Sequence, residues 1–313
     1  MIRAIRKDCT GIQPEISICI ANYNGAAWIV QCLESIYRQD CSFAVEIIVH
    51  DDASTDCSVE LIRDRFPEVI LLTSTENVGF CVSNNRMVDS ARGEYILLLN
   101  NDLVLHEDAV STLHQAAVDL KGPAILSLPQ YDALSGRLID RGELLDPFLN
   151  PVPNLDPGRG SVAMVIGACL WIPRSLWDEL GGFPDWFGNL AEDMYLCCRA
   201  RLTGYPVRVL PRSGYDHWVG RSFGGGKLTG GRLLTSFRRR ALSERNKSCV
   251  MALYYPFPLF HLVLPVHLLL LLLEGTTLSL LKRNPRIMRE IYLPCLSFLW
   301  AHKKVIFRLR RKI

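Results

Sequence analysis

Apolar runs and helical apolar stripes alternate through the first third of the chain. Ile16 to Ala21 is a short apolar run ending at Asn22-Tyr23-Asn24-Gly25, after which Trp28, Cys32, Leu33 and Ile36 recur at helical spacing. The pattern then predicts a strand at Val45 to Val49, a helix around Val59 to Phe66, and a strand at Val69 to Leu72. A helix around Val82 to Ala91 and a strand at Tyr95 to Leu99 complete the series. This rhythm predicts an α/β fold with a largely parallel sheet covered by helices, a class that binds ligands beyond the carboxyl ends of its strands. Between Leu128 and Gly160 the Pro, Gly and Asp content rises, predicting loops or a hairpin that could shape a cleft.

The last third reads differently. Ser248 to Leu281 contains no Lys or Arg, and Phe257 to Leu273 is apolar except for His261, Pro265 and His267. As an ideal helix that run would reach about 25 Å, short of the ~30 Å of a bilayer core. Basic clusters flank it on both sides, at Arg238-Arg239-Arg240, Lys282-Arg283 and Arg308 to Lys312. Cationic flanks prefer the cytoplasmic face, so an interfacial or re-entrant element fits better than one clean span.

Charge sharpens this division. The net charge is only +3, yet residues 1–207 hold 15 Lys/Arg against 28 Asp/Glu, and residues 208–313 hold 20 against 4. An acidic body suits a cation-dependent site, whereas the basic, apolar tail should be drawn to an anionic membrane surface. Nucleic acid is not expected as a partner, because no aromatic surface for stacking accompanies the basic residues. The expected divisions are an N-terminal arm over 1–14, a main domain over 15–235 and a membrane-associating helical region over 236–313. Truncation before about Ser248 is therefore expected to spare the main domain. The 11 cysteines include no Cys-x-x-Cys pair and read as reduced, buried thiols of a cytosolic domain. Met1 to Gly11 is basic but precedes no continuous apolar segment, so no secretory leader is expected.

Three polar clusters fall at element ends. In the first, Asn22-Tyr23-Asn24 faces Asp51-Asp52: a strand-end carboxylate can accept the imide N–H of a uracil or thymine while a neighbouring aromatic stacks on the base. The same Asp51 to Asp56 stretch equally reads as a turn that caps the next helix through Ser54 or Asp56. In the second, Asn100-Asn101-Asp102 ends a buried strand, where a carboxylate calls for a cation, naturally Mg²⁺ or Mn²⁺ bridging two phosphates, unless it only turns the chain. In the third, Gly181-Gly182-Phe183-Pro184-Asp185-Trp186-Phe187 leads to Glu192-Asp193 at a helix start. Acidic residues there are favourable dipole partners, and a neighbouring pair can also divide the labour, one orienting an acceptor and one taking its proton. His217 lies downstream in a Gly-rich segment, as either a structural or a ligating imidazole.

Taken in order, these stretches resemble the family 2 glycosyltransferases, particularly the rhamnosyltransferase-like branch. The resemblance runs from about Glu15 to Gly225, roughly two thirds of the chain. It includes Asn77-Val78-Gly79-Phe80 with Asn84-Asn85, Arg92-Gly93-Glu94-Tyr95 leading into Leu99 to Asp102, the Gly-Gly-Phe to Glu-Asp block, and His217-x-x-Gly220-x-Ser222. The family's Asp-x-Asp reads Asn100-Asn101-Asp102 here, Met87 stands where Gly is usual, and Phe183-Pro184-Asp185 replaces Phe-Asp-Glu.

The resemblance implies a GT-A fold, a Rossmann-like, mostly parallel mixed sheet flanked by helices, together with Mn²⁺ or Mg²⁺ and inverting transfer from a nucleotide-diphosphate sugar. Carried over by position, Asn22, Tyr23, Asp51, Asn77, Gly79, Asn101 and Asp102 would bind the donor. Asp102 and His217 would meet the metal-diphosphate, Asp193 would be the general base and Glu192 would orient the acceptor. The expected acceptor is a hydroxyl of a glycan or lipid-linked oligosaccharide at the cytoplasmic side of a membrane. Two other readings compete. A noncatalytic nucleotide- or glycan-binding module would not need both Asp102 and Asp193. A sugar nucleotidyltransferase would carry a Gly-rich basic phosphate loop where this chain has Ala21-Asn22-Tyr23-Asn24-Gly25.

Overall fold

A computed structural model describes residues 3–4, 13–218, 225–229 and 232–311. Its elements begin with β1 (Arg3–Ala4), β2 (Ile16–Asn22), α1 (Ile29–Tyr37), β3 (Ala44–Asp51), α2 (Ser58–Arg65), β4 (Ile70–Thr73), α3 (Phe80–Ser90) and β5 (Tyr95–Asn100). There follow β6 (Leu103–Leu105), α4 (Ala109–Asp119), β7 (Ile125–Ser127), β8 (Gln130–Asp132), β9 (Leu138–Asp140), β10 (Glu143–Leu145) and β11 (Pro151–Pro153). The chain continues through β12 (Cys169–Pro173), α5 (Arg174–Leu180), α6 (Glu192–Leu202), β13 (Val207–Val209) and β14 (Tyr215–His217). After β15 (Gly225–Thr229) and β16 (Arg232–Thr235) it ends in three long helices, α7 (Phe237–Tyr254), α8 (Leu259–Leu281) and α9 (Leu293–Arg310).

The main sheet has eight strands in the order β1, β3, β2, β5, β12, β7, β13, with β4 also paired to β3. All neighbours run parallel except β12, which is antiparallel to both β5 and β7. Side chains alternate between two faces. Cys19, Ile48 and Leu98 point into a core with Met87, Leu176, Leu196, Val250 and Leu253. Ile18, Ile47 and Leu97 point into the opposite core with Leu33, Ile62 and Leu113. Burial on both faces is why these strands are nearly uninterrupted apolar runs. The expected 128–160 segment forms β8 with β9 and the hairpin β10 to β11, and β8 joins β6 and β14 in a second, four-stranded sheet.

Cys249, Val250, Ala252, Leu253 and Tyr254 of α7 lie in the same core as α3 and α6, so packing is continuous across residue 235. The elements that project are α8 and α9. α8 is 23 residues long with a mean hydropathy of 1.8, and only 17% of its apolar window is buried. Its inward stripe is His267, Leu271 and Gly275; a β-carbon at Gly275 would come within 2.7 Å of the Tyr292 ring. A polar seam ties α8 to α7: Ser248 Oγ lies 2.9 Å from His267 Nε2, and Arg240 donates to Glu274 at 2.9 Å. At the far end of α9, Arg310 Nη1 donates to the carbonyls of Ala252 and Leu253 at 3.1 Å each, closing the helices back onto α7.

Candidate active site

The carboxyl ends of β2, β3 and β5, the start of α6 and one face of α7 enclose a cavity of about 770 Å³. Its head is a bracket of buried amides. Asn22 Nδ2 donates to Asp51 Oδ1 at 2.8 Å and to Ser58 Oγ at 2.9 Å, while Asn22 Oδ1 accepts from Asn101 Nδ2 at 2.8 Å. Three strand ends are thereby fixed relative to one another. Asp51 spends its other oxygen on the Ser54 N–H at 3.0 Å and does not reach the cavity. Asp56 accepts from the Ser58 N–H at 3.1 Å and from the Ala26 N–H at 2.8 Å and so braces the helix start, but the N-cap of α2 is Cys57 and not the expected Ser54 or Asp56.

The carboxylate that does line the cavity beside Tyr23 is Asp52, which the sequence argument passed over. Its two oxygens accept the N–H groups of Val78 at 2.7 Å and Gly79 at 2.9 Å, folding the Asn77 to Gly79 loop over the cavity. Gly79 has φ +90°, and a β-carbon there would lie 3.0 Å from the Gly188 carbonyl oxygen. Tyr23 is half exposed at the rim, an open aromatic face.

Asp102 and His217 are 115 residues apart in sequence, yet Asp102 Oδ1 sits 3.0 Å from His217 Nε2. Pairing of β14 with β6 causes this, placing His217 opposite Leu103. With the carboxylate accepting at Nε2, the imidazole keeps Nδ1 as its acceptor atom. That Nδ1 and Asp102 Oδ2 are both buried without a partner among the described residues. His217 lines the cavity and Asp102 stands behind it. Among the described residues no cluster of three or more potential ligands exists. One imidazole and one carboxylate, each with a free atom, fit a hard divalent cation that takes its remaining ligands from a diphosphate and water. Residues 219–224, which carry the rest of the His-x-x-Gly-x-Ser stretch, lie outside the described residues.

Glu192 and Asp193 open α6 on the cavity wall. Asp193 Oδ2 accepts from the Gly167 N–H at 3.1 Å, and Oδ1 accepts from its neighbour Met194 at 2.7 Å. Burial pushes both carboxyls above the usual carboxylate range; for Glu192 the adjacent Asp193 charge adds to the rise, and the Arg239 guanidinium opposes it. Glu143 of β10 is raised as well, to about 8, by burial and then by the Asp193 and Asp140 charges. An adjacent pair in such surroundings ionises one member far more easily than both. It can thus present one base and one neutral hydrogen-bonding partner to a hydroxyl.

Arg238, Arg239 and Arg245 of α7 also line the cavity. The sequence argument assigned the first two to a membrane flank. Only their position directly after the Gly-rich segment that follows His217 hinted otherwise.

Residues 17–181 match the family model described as Glycosyl transferase family 2. The chain belongs to that family. A similar relative is the poly(ribitol-phosphate) beta-glucosyltransferase of Bacillus spizizenii, 33% identical over 210 residues that cover 65% of this chain and 32% of that protein. The chain spans well under half the length of the curated relatives it matches. In three dimensions it is similar to S. aureus TarS 1–349 in complex with UDP-GlcNAc, with a TM-score of 0.57 and 18% identity over 94% of this chain and 83% of that one. It is also similar to the Pyrobaculum calidifontis mannosyltransferase PcManGT in complex with GDP-Man and Mn²⁺, with a TM-score of 0.57 and 19% identity over 93% and 88% of the two chains. These likenesses establish the GT-A fold.

Proposed function

We propose that this family 2 protein is an inverting glycosyltransferase that moves a sugar from a UDP- or dTDP-sugar, dTDP-rhamnose among them, to a hydroxyl of a glycan or lipid-linked acceptor in polysaccharide assembly. The observation that carries the reading is the convergence of the Glu192-Asp193 pair, the Tyr23, Asn77 and Gly79 rim and His217 on one cavity. Tyr23 supplies the stacking face for the base. Asn77 and Gly79 shape the donor pocket.

Asp193, held by two backbone N–H groups, takes the acceptor hydroxyl's proton as that oxygen attacks the anomeric carbon. The bond from that carbon to the diphosphate oxygen breaks in the same step, and its electron pair leaves with the nucleoside diphosphate. Arg238 and Arg239 face the departing charge. Glu192, whose carboxyl is raised by burial and then by the Asp193 charge, orients the acceptor. His217 and Asp102 would hold Mn²⁺ or Mg²⁺, which supplies charge neutralisation to the diphosphate. A single displacement inverts the anomeric centre.

The proposed location is the cytoplasmic face of a membrane, with α8 and α9 lying in the interface. Leu262, Leu269 and Leu273 of α8 and Trp300 and Phe307 of α9 are exposed, a surface an aqueous protein rarely leaves open at this size. α9 returns to α7 through Arg310, so an α8 that crossed the bilayer would have to break that closure. This supports an interfacial seat over one span.

The test is nucleoside diphosphate release from UDP-, dTDP- and GDP-sugars with Mn²⁺, comparing the full chain with Asp193→Asn. Turnover should fall by about 10²-fold or more with donor affinity nearly intact. Wild-type turnover in Asp193→Asn would remove the base assignment. Donor binding with no release from any sugar would favour the noncatalytic module.

A further inference from the structure

The loop that delivers the carboxylate pair is held from the far end of the chain. Between Phe187 and Glu192 the backbone passes through Gly188, Leu190 and Ala191 at φ of 72°, 71° and 62°. Two consecutive residues with side chains in the left-handed region are unfavourable by themselves. Ala191 also occupies the N-cap position of α6, and it offers no side-chain acceptor to the first turn that Glu192 and Asp193 occupy. The conformation therefore has to be imposed from outside the loop.

α7 imposes it. Asn246 is fully buried, and its amide nitrogen donates to Leu190 O and Asn189 O at 2.8 Å each and is shared with Phe187 O at 3.2 Å. Its neighbour Arg245 donates from Nη2 to the same Phe187 carbonyl at 2.7 Å and from Nε to Asn246 Oδ1 at 2.8 Å. The guanidinium lies 4.4 Å from the Phe298 ring of α9. Each polar group of the Asn246 amide thus has a defined partner, and the carbonyls that accept from it belong to Phe187, Asn189 and Leu190, in the loop that leads to the carboxylate pair.

We propose that Asn246, braced by Arg245, is a positioning residue for glycosyl transfer, holding the 187–191 loop so that the Asp193 carboxylate faces the acceptor hydroxyl. The proposal rests on the reading of Asp193 as the base. Asn246 touches no substrate, and the donor rim at Tyr23 and Asn77 belongs to other elements. Its loss should therefore act on turnover and not on donor recognition. The titratable and charged groups that face the pair include Glu143 from β10, Arg239 from α7, Cys81 from α3, Tyr215 from β14, and Cys197 and Cys198 from α6 itself. Since burial is the main cause of the raised carboxyls, a loosened loop that admits water brings them back towards ordinary values.

The experiment is steady-state kinetics of full-length Asn246→Ala and Asn246→Asp over a range of pH, with UDP titration to count folded sites. A 10- to 100-fold fall in kcat per folded site is expected, with donor KM within about threefold and the acid limb of kcat moved to lower pH. Adding Ala191→Gly, which accepts positive φ freely, should restore part of the lost kcat. Unchanged kcat and an unchanged limb would overturn the proposal, as would a loss explained wholly by fewer folded sites. If Asn246→Ala does not accumulate as folded protein, Arg245→Gln carries the test: it removes the second bond to Phe187 O, and an unmoved limb there overturns the proposal. If instead Asp193→Asn turns over normally, it is the base reading that fails, independently of Asn246.

Discussion

Gly25→Ala probes the amide bracket with a single methyl group. A β-carbon at residue 25 falls 2.2 Å from both Asn101 Nδ2 and Asn22 Oδ1, the two atoms of a 2.8 Å hydrogen bond. No carbon fits there, so one side chain has to move. Asn101, at 6% exposed, can swing aside, whereas Asn22, at 1%, is anchored to Asp51 and Ser58 and its Oδ1 keeps part of the overlap. Gly25 does not adopt a left-handed φ, so the backbone itself accepts alanine and the steric term stands alone. Swinging Asn101 aside leaves Asn22 Oδ1 buried without a donor, a loss of about 1–3 kcal/mol, and any residual overlap adds to it. A total near 2–4 kcal/mol is expected from urea unfolding at unchanged m, together with a raised donor KM because Asn101 borders the cavity. Asn101→Ala removes one of the two overlaps and the donor that Gly25→Ala would displace, so in that background the substitution should cost at least about 1 kcal/mol less, a coupling that a double-mutant cycle reads directly. A cost within about 0.5 kcal/mol of zero in the wild-type background, or an equal cost in both backgrounds, would refute the steric argument.

Further outcomes follow from other parts of the site. Asp102→Ala should strongly weaken Mn²⁺-dependent donor binding and His217→Ala should weaken it more mildly; calorimetric titrations with and without Mn²⁺ that match wild type would remove both from the metal. Because the Glu192 carboxyl is raised on folding, the folded chain binds more protons than the unfolded one between the ordinary carboxyl range and the raised value, so its contribution to stability is full at low pH and is lost as pH rises through that value. Glu192→Gln should accordingly gain stability over wild type at pH 8 and not at pH 4, and equal differences at the two pH values in urea titrations would contradict the shift. The full chain should stay with membranes in high salt and leave in detergent, and Leu262→Glu with Leu269→Glu should release it without detergent; release of the unaltered chain by salt alone would argue against apolar seating. Truncation before Ser236 should yield aggregated protein, because α7 supplies both cavity wall and core, whereas a soluble, donor-binding fragment would restore the division expected from sequence.

The first five long elements were legible because strands buried on both faces must be apolar throughout, and the runs at Ile16, Val45 and Tyr95 have no other soluble explanation. The polar clusters at their ends were visible for the same reason, each interrupting an apolar pattern. Distinguishing Asp51 from Asp52 was beyond the pattern, since adjacent residues at a strand end point opposite ways and only the fold says which way the cavity lies. β12 enters the sheet antiparallel between β5 and β7, and nothing in Cys169 to Pro173 encodes its neighbours. The packing of α7 into the main core was not legible for a physical reason. Its sequence lacks an apolar stripe because it is enclosed by several elements at once, and of the five successive polar residues from Glu244 to Ser248 all but Arg245 are buried, through pairings such as Glu244 with Lys247 that periodicity cannot reveal.

The closure of α9 onto α7 also sets an order of events during synthesis. The acidic sheet domain can begin to collapse while the ribosome is still adding residues, but the loop before Glu192 receives its clamp only from Asn246, and α7 is covered only when Arg310 has emerged. At translation rates of about 5–20 residues per second, the stretch from α7 to the end of α9 leaves an interval of several seconds. For the later part of that interval the apolar run of α8 has been made while α7, which carries the clamp on the carboxylate loop, still lacks its cover. On the proposed interfacial seat, the apolar surface of α8 is made before the cover over α7 is complete.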